Sequence, residues 1–246
     1  MKKILLVGLG RIGRAFARIY SERKNLNFSI SGIMDPGMDV SAASYYLKFD
    51  SLYGKFGFSH SKENLIIKTS DEKKNINFFQ TGSVLEAVKS FSEIDIVVDC
   101  SGTNKVINDI KSWLSLNSGK ALVSRCLEDS DFEAIFGFNH LNIKNDDKLI
   151  SASICDANGM VHVINAINKK YGIISGSVTT IHPWLSHQNL MDGPVASEVF
   201  VGSNINNYAI GRAANSSMIA KNTSAISACE KLIPDIKGKI MSMSFR

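Results

Sequence analysis

Apolar and polar positions fall into alternating blocks along this chain. Lys3–Val7 is a nearly unbroken apolar run closed by glycine, the pattern of a strand buried on both faces of a parallel sheet. Arg11–Arg23 has helical spacing that puts Ile12, Phe16, Ile19 and Tyr20 on one side. Ile30–Met34 predicts a short strand stopped by Asp35-Pro36-Gly37. Leu65–Thr69 and Ile76–Gln80 predict a hairpin or two short strands around the charged stretch Asp71–Lys74, and Val84–Phe91 a helix. Ile94–Cys100 reads as a buried strand, Asn104–Leu116 as a helix and Ala121–Ser124 as a strand. Strands alternating with helices predict an α/β fold with a doubly wound parallel sheet.

The pattern changes near Ser151. Asp156–Tyr171 has a helical period with Met160, Val163, Ile164, Ile167 and Tyr171 on one face. Ser175–Ile181 reads as a strand, Ser224–Leu232 as a helix and Lys239–Phe245 as an alternating strand. Between them, about Pro183 to Arg212, lies a long stretch rich in Asn, Ser and Gly, and a connection of that length in a compact domain is usually functional. The second part therefore reads as a smaller α+β domain.

Composition narrows the class. The chain has 246 residues, 44% of them hydrophobic and 21% charged, enough for one large domain or two small ones with a real core and no disulfide staples. No apolar run approaches the roughly 18 residues of a membrane span. The two lysines and apolar run at the start imitate a signal peptide, but the run breaks at Arg11 and no small-residue cleavage site follows. The charge of +5 is mild and scattered, so neither nucleic acid nor membrane is an expected partner. Cys100, Cys126, Cys155 and Cys229 are widely spaced thiols, the usage of a reduced, cytoplasmic protein. His60, His140, His162 and His187 have no metal-ligand spacing, and no metal is expected.

Candidate chemistry begins at the first turn. Gly8-Leu9-Gly10-Arg11-Ile12-Gly13 follows a strand and opens a helix, the context a dinucleotide fingerprint requires. Gly8 permits the turn, Gly10 lets backbone approach a pyrophosphate, and Gly13 lets helix and strand pack closely. The helix N-terminus offers unpaired N–H groups to the anion. Asp35, at the end of the second strand, stands where an acid holds the adenosine ribose hydroxyls, and NAD is the cofactor this pattern calls for.

In order along the chain, several segments resemble the glyceraldehyde-3-phosphate dehydrogenase family, with erythrose-4-phosphate dehydrogenase as a sister. The opening strand and glycine loop resemble its start, and Asp35-Pro36 its N-D-P. Phe49–Phe56 resembles Y-D-S-x-H-G-K-F, Val97–Gly102 resembles V-V-E-S-T-G, and Gly137–His140 resembles G-V-N-H. Val178–His182 carries a counterpart of T-T-V-H, and Gly238–Arg246 resembles G-K-L-x-G-M-A-F-R. The resemblance implies a cofactor domain over residues 1–154, with Arg11, Ile12, Ser101, Gly102 and Ser124 joining Gly8, Gly10, Gly13 and Asp35 around NAD. It implies a catalytic domain over residues 155–246, an aldehyde substrate of sugar-phosphate type and a homo-oligomer, tetrameric in the family.

The resemblance also implies the chemistry. Ser151–Asn158 resembles S-N-A-S-C-T-T-N and makes Cys155 the nucleophile that forms a thiohemiacetal and then a thioester. A position just before a helix favours its thiolate. His182 is the implied base. Thr223 and Arg246 match phosphate-binding positions, and Leu185 and His187 fall near two polar positions of the substrate-phosphate site.

The departures cluster at that site. Ile154 and Asp156 replace the small hydroxyl residues that flank the family's cysteine, and Ser224 replaces a glycine. Gly82 stands where the family often has an arginine near the adenine. Asp156 is either a helix N-cap or a site residue that repels phosphate and raises the thiol pKa. The family continues past Arg246, so the catalytic domain is expected to be incomplete here. Two functions compete: an NAD-dependent aldehyde dehydrogenase with an altered phosphate site, and a degenerate NAD-binding paralogue acting as a sensor or interaction module.

Overall fold

The structure, a computed structural model, describes residues 1–68, 73–184, 188–194, 208–221 and 223–246. Residues 69–72 (with the start of the charged stretch Asp71–Lys74), Leu185, His187 and much of the long Asn/Ser/Gly stretch lie outside the described residues. The chain divides into two compact units, residues 1–134 with 139–152, and residues 135–138 with 153–246.

In the first unit the elements run β1 (Lys2–Val7), α1 (Arg11–Glu22), β2 (Phe28–Met34), α2 (Val40–Lys48), β3 (Phe49–Asp50), β4 (Gly54–Lys55), β5 (Phe58–His60), β6 (Asn64–Lys68) and β7 (Lys73–Phe79). They continue with α3 (Val84–Val88), β8 (Ile96–Asp99), α4 (Asn104–Leu116), β9 (Lys120–Val123), β10 (Phe132–Glu133) and β11 (Leu149–Ser151). Among the described residues the main sheet has the order β10-β11-β9-β8-β1-β2-β7-β6-β5. It is parallel from β10 to β7, and β6 and β5 extend it as antiparallel edge strands. The fold is the doubly wound Rossmann sheet, with an antiparallel extension built from the expected hairpin.

The central strand explains the unbroken apolar run. Leu5 and Val7 pack into one core with Ile110, Trp113 and Val97, while Ile4 and Leu6 pack into the other with Ile33, Ala17 and Leu65. A strand covered on both faces has no polar side, which is why its sequence does not alternate.

Helix α1 departs from the expected face. Ile12 is 58% and Ile19 50% exposed, whereas Gly13, Ala17, Arg18, Tyr20 and Ser21 are buried. The small Gly13 and Ala17 set the inward face because close helix–sheet packing leaves no room for branched side chains. The buried Arg18 is satisfied in full view of that core: Nη1 pairs with Asp50 Oδ2 at 2.6 Å, and Nε and Nη2 donate to the carbonyls of Leu47 and Tyr46 at 3.1 and 2.5 Å.

The second unit contains α5 (Cys155–Tyr171), β12 (Gly176–Ile181), β13 (Ala220–Lys221), α6 (Ala225–Leu232) and β14 (Ile240–Phe245). Strand β14 lies between β12, parallel to it, and β13, antiparallel. Helix α5 buries Ala157, Val161 and Ile164 against Ile226, Cys229 and Ile236. Val163, Ile167 and Tyr171, expected on the inward face, are exposed. The seam runs through Ala157 and Val161, which are one turn apart, and turns the longer apolar residues outward.

Candidate active site

The glycine loop joins β1 to α1 through backbone that tolerates no side chain at Gly8 and Gly13. Gly8 has φ of +85°, and a Cβ on it would stand 2.7 Å from the Ser101 Cα. A Cβ on Gly13 would stand 1.9 Å from the Gly8 carbonyl oxygen. Gly10 is the N-cap of α1; a Cβ there would make only an ordinary contact, 3.9 Å from the Cys100 carbonyl oxygen, and no side chain caps the helix. No acid occupies the first turn, so the N-terminal N–H groups and their partial positive charge remain available to an anion.

Asp35 follows β2 and braces this loop. Its Oδ2 accepts the Leu9 N–H at 2.7 Å and its Oδ1 accepts the Gly37 N–H at 2.8 Å. Each oxygen keeps a second lone pair for a ribose hydroxyl. Arg11 and Ile12 are exposed at the first turn of α1. Ser101 follows β8, its N–H and hydroxyl donating to Asp99 Oδ1 at 2.8 and 2.6 Å, and Gly102 has φ of +72°. Ser124 follows β9, where its N–H donates to the Asp99 carbonyl at 2.9 Å and its hydroxyl bonds the Cys100 thiol. These residues all sit at the carboxyl ends of neighbouring parallel strands β1, β2, β8 and β9, the edge at which open α/β sheets bind ligands. The cradle that a Cβ would fill, the uncapped helix end and the acid after β2 fit NAD.

The second cluster belongs to the other unit. Cys155 is the first residue of α5, and Ile154, at the N-cap, supplies no side-chain cap. Asp156 does not take the capping role either. Its Oδ2 accepts the Thr180 hydroxyl at 3.5 Å and the Thr223 hydroxyl at 3.3 Å. Its Oδ1 lies 3.5 Å from Cys155 Sγ and 3.2 Å from His182 Nε2. His182 Nε2 is also 3.1 Å from the Thr180 hydroxyl. Cys155 Sγ, an Asp156 oxygen and a His182 ring nitrogen all lie within 4.8 Å of one another.

Strand and helix geometry produce this cluster. Thr180 and His182 are two apart at the end of β12, so they share a face. Asp156 lies in the first turn of α5, and Thr223 just precedes α6, where its hydroxyl also accepts the Ala225 N–H at 3.1 Å. The thiol is exposed, and the carboxylate and imidazole are largely covered. The Cys155 thiol is pushed above its ordinary value, first by partial burial and then by the charge and hydrogen bond of Asp156; the Asp156 N–H and the Arg246 guanidinium act against this. The net direction is the one that burial and the Asp156 charge give, opposite to the effect of a helix N-terminus taken alone.

Arg246 follows β14, its N–H and carbonyl exchanging hydrogen bonds with Ile219 at 2.9 and 2.7 Å. With His182, Trp184, Ser217 and Phe245 it lines an open cavity of about 320 Å³.

Residues 2–106 match the glyceraldehyde 3-phosphate dehydrogenase NAD binding domain, and residues 154–246 match the C-terminal domain of the same enzyme. Glyceraldehyde-3-phosphate dehydrogenase 1 of Kluyveromyces marxianus is 30% identical over 248 aligned positions, which span all of this chain and 70% of that protein. The chain belongs to the glyceraldehyde-3-phosphate dehydrogenase family. Further relatives in it are glyceraldehyde-3-phosphate dehydrogenase 1 of Saccharomyces cerevisiae, 27% identical over all of this chain and 70% of its own, and the enzyme of Ogataea parapolymorpha, 30% identical over 97% and 67%. The cofactor of the family member described here is NAD. Family membership and the neighbouring cysteine and histidine support NAD-dependent aldehyde oxidation in general terms. Among the described residues no helix is long and apolar enough to cross a membrane.

Sequence reasoning missed Thr180. The two-residue spacing to His182 on a strand was the available signal, because it places both side chains on one face.

Proposed function

We propose that this protein oxidises an aldehyde of sugar-phosphate type with NAD, and that the acid product leaves without inorganic phosphate. Residues 1–154 hold the cofactor and residues 155–246 act on the substrate. Cys155 adds through sulfur to the aldehyde carbon and forms a thiohemiacetal. The thiol proton passes by way of Asp156 Oδ1 and His182, which together serve as the base, to the aldehyde oxygen, and the same pair takes the hydroxyl proton back as the hydride leaves. NAD, when bound, supplies the acceptor for the hydride that leaves the thiohemiacetal carbon. The thioester left on Cys155 is cleaved by water, which regenerates the thiol and releases the carboxylic acid.

The observation that carries the phosphate independence is the engagement of Thr223. Its hydroxyl, at a position the family uses for phosphate, is spent on the Asp156 carboxylate at 3.3 Å. Asp156 thus brings its own anion to the hydroxyls that would hold an external one, and Ile154 offers no donor beside it. Arg246, in the cavity it shares with His182, suits an anionic group on the substrate. The protein is proposed to work in the cytoplasm as a homo-oligomer.

The test is NAD reduction over a panel of phosphorylated and plain aldehydes, with and without phosphate, beside the Cys155→Ser variant. Reduction that requires Cys155 and ignores phosphate supports the proposal. NAD binding with no reduction of any aldehyde supports the second reading, a binding paralogue, which the raised Cys155 thiol favours.

A further inference from the structure

The mutual distances among Cys155, Asp156 and His182 have a chemistry of their own, independent of aldehyde turnover. We propose that Cys155 Sγ, Asp156 Oδ1 and His182 Nε2 form a three-ligand zinc site whose fourth position is open to water or an exogenous ligand.

Zinc takes thiolate sulfur at about 2.3 Å, imidazole nitrogen at about 2.0–2.1 Å and carboxylate oxygen at about 2.0–2.2 Å in tetrahedral array. Those bond lengths set sulfur and oxygen about 3.5 Å apart, and nitrogen and oxygen about 3.3 Å apart. The observed separations are 3.5 Å for Sγ to Oδ1 and 3.2 Å for Nε2 to Oδ1. Two of the three ligand–ligand edges are therefore already at coordination length. The third, Sγ to the imidazole, lies within 4.8 Å, against about 3.6 Å for a shared zinc ion. Cys155 is exposed, so a rotation of its side chain can close that edge.

The surroundings orient the ligands as metal sites require. The Thr180 and Thr223 hydroxyls both donate to Oδ2, which turns Oδ1 toward the sulfur and the imidazole. Outer contacts of this kind fix a ligating carboxylate. Thiolate and carboxylate together balance the charge of the dication, while Arg246, which acts electrostatically on Cys155, is the opposing cation among the described residues. A mixed sulfur, nitrogen and oxygen set with an open position selects zinc over magnesium or calcium. The Cys155 sulfur donates its electron pair to the metal, so a zinc-loaded chain cannot use that pair on an aldehyde.

The test is calorimetric titration of the whole protein with zinc alone, without cofactor or substrate, supported by the absorption spectrum with cobalt(II). The expected result is one zinc per chain and a thiolate-to-cobalt charge-transfer band of a tetrahedral site. Cys155→Ser and His182→Ala each weaken binding by at least about 10–100-fold, and Thr180→Val, which leaves every ligand in place, weakens it by about tenfold. Zinc should also protect Cys155 from iodoacetamide, with reactivity restored by a chelator; this readout needs no variant. Absence of saturable binding by the wild-type chain, or unchanged affinity in Cys155→Ser, overturns the zinc site and leaves the dehydrogenase reading untouched.

Discussion

The Asp156 carboxylate stands between Cys155 and His182, with one oxygen 3.5 Å from the thiol sulfur and 3.2 Å from the imidazole nitrogen. Thiol and imidazole thus share an anion instead of forming an isolated ion pair. Partial burial first, and then the like charge of the carboxylate, oppose formation of the thiolate, so the nucleophile is held in its thiol form over a wider pH range than an ordinary exposed cysteine.

Replacing Asp156 by Thr should release that restraint. The pH at which iodoacetamide alkylation of Cys155 reaches half its maximal rate should fall, and labelling at neutral pH should rise by roughly three- to tenfold. In the wild-type chain Cys155, the exposed thiol, should still label ahead of Cys100, pushed up to about 11 by burial, and of the buried Cys229. Peptide mapping after brief alkylation measures all of these. An unchanged profile in Asp156→Thr would mean that burial alone governs the thiol.

Initial rates of NADH formation should not respond to inorganic phosphate at constant ionic strength. At about 5 Å and an effective dielectric near 20, a phosphate charge and the Asp156 carboxylate repel by about 3 kcal/mol, roughly a hundredfold in affinity. The helix N-terminus returns only about 0.5–1 kcal/mol. In Asp156→Thr, where the Thr223 hydroxyl is released, phosphate should begin to accelerate turnover. A saturable phosphate response in the unaltered chain would return the protein to phosphorolysis.

Binding of NAD should exceed that of NADP, because the Asp35 carboxylate next to the ribose repels a 2′-phosphate. Asp35→Asn removes the charge, keeps an acceptor for only one of the Leu9 and Gly37 N–H groups, which bond different oxygens, and should narrow the preference. Gly13→Ala should abolish binding of both and destabilise the fold by about 1–3 kcal/mol or more, since its Cβ would meet the Gly8 carbonyl oxygen at 1.9 Å. Calorimetry with each dinucleotide and urea unfolding give the two readouts.

Cys100 supplies an alkaline weakness. Burial raises its thiol from 9.0 to about 11. The folded chain therefore holds the proton after the unfolded chain has lost it. Stability from this group is intact below about pH 9 and declines as pH rises toward 11, by up to about 3 kcal/mol. Urea unfolding at pH 8 and pH 10.5 should show the loss, and Cys100→Ala should remove this part of the pH dependence. An equal decline in that variant would assign the effect to other groups.

The sequence by itself determined the elements of the cofactor unit. Its long apolar strand, its glycine loop and its helix Asn104–Leu116 are local patterns, set by burial on two faces, by positive φ and by a 3.6-residue period. Collinear resemblance also made Cys155 and His182 legible. The inward faces of α1 and α5 were not legible, because apolar character does not say which residues are small enough for close packing: Gly13 and Ala17 displace Ile12 and Ile19, and Ala157 and Val161 displace Val163 and Ile167. Nor could local pattern decide the role of Asp156. At the start of a helix it reads equally as a cap. Only the approach of β12 and of the segment before α6 brings Thr180, His182 and Thr223 to its two oxygens, and residues 24 to 67 positions away in sequence then fix what that carboxylate does.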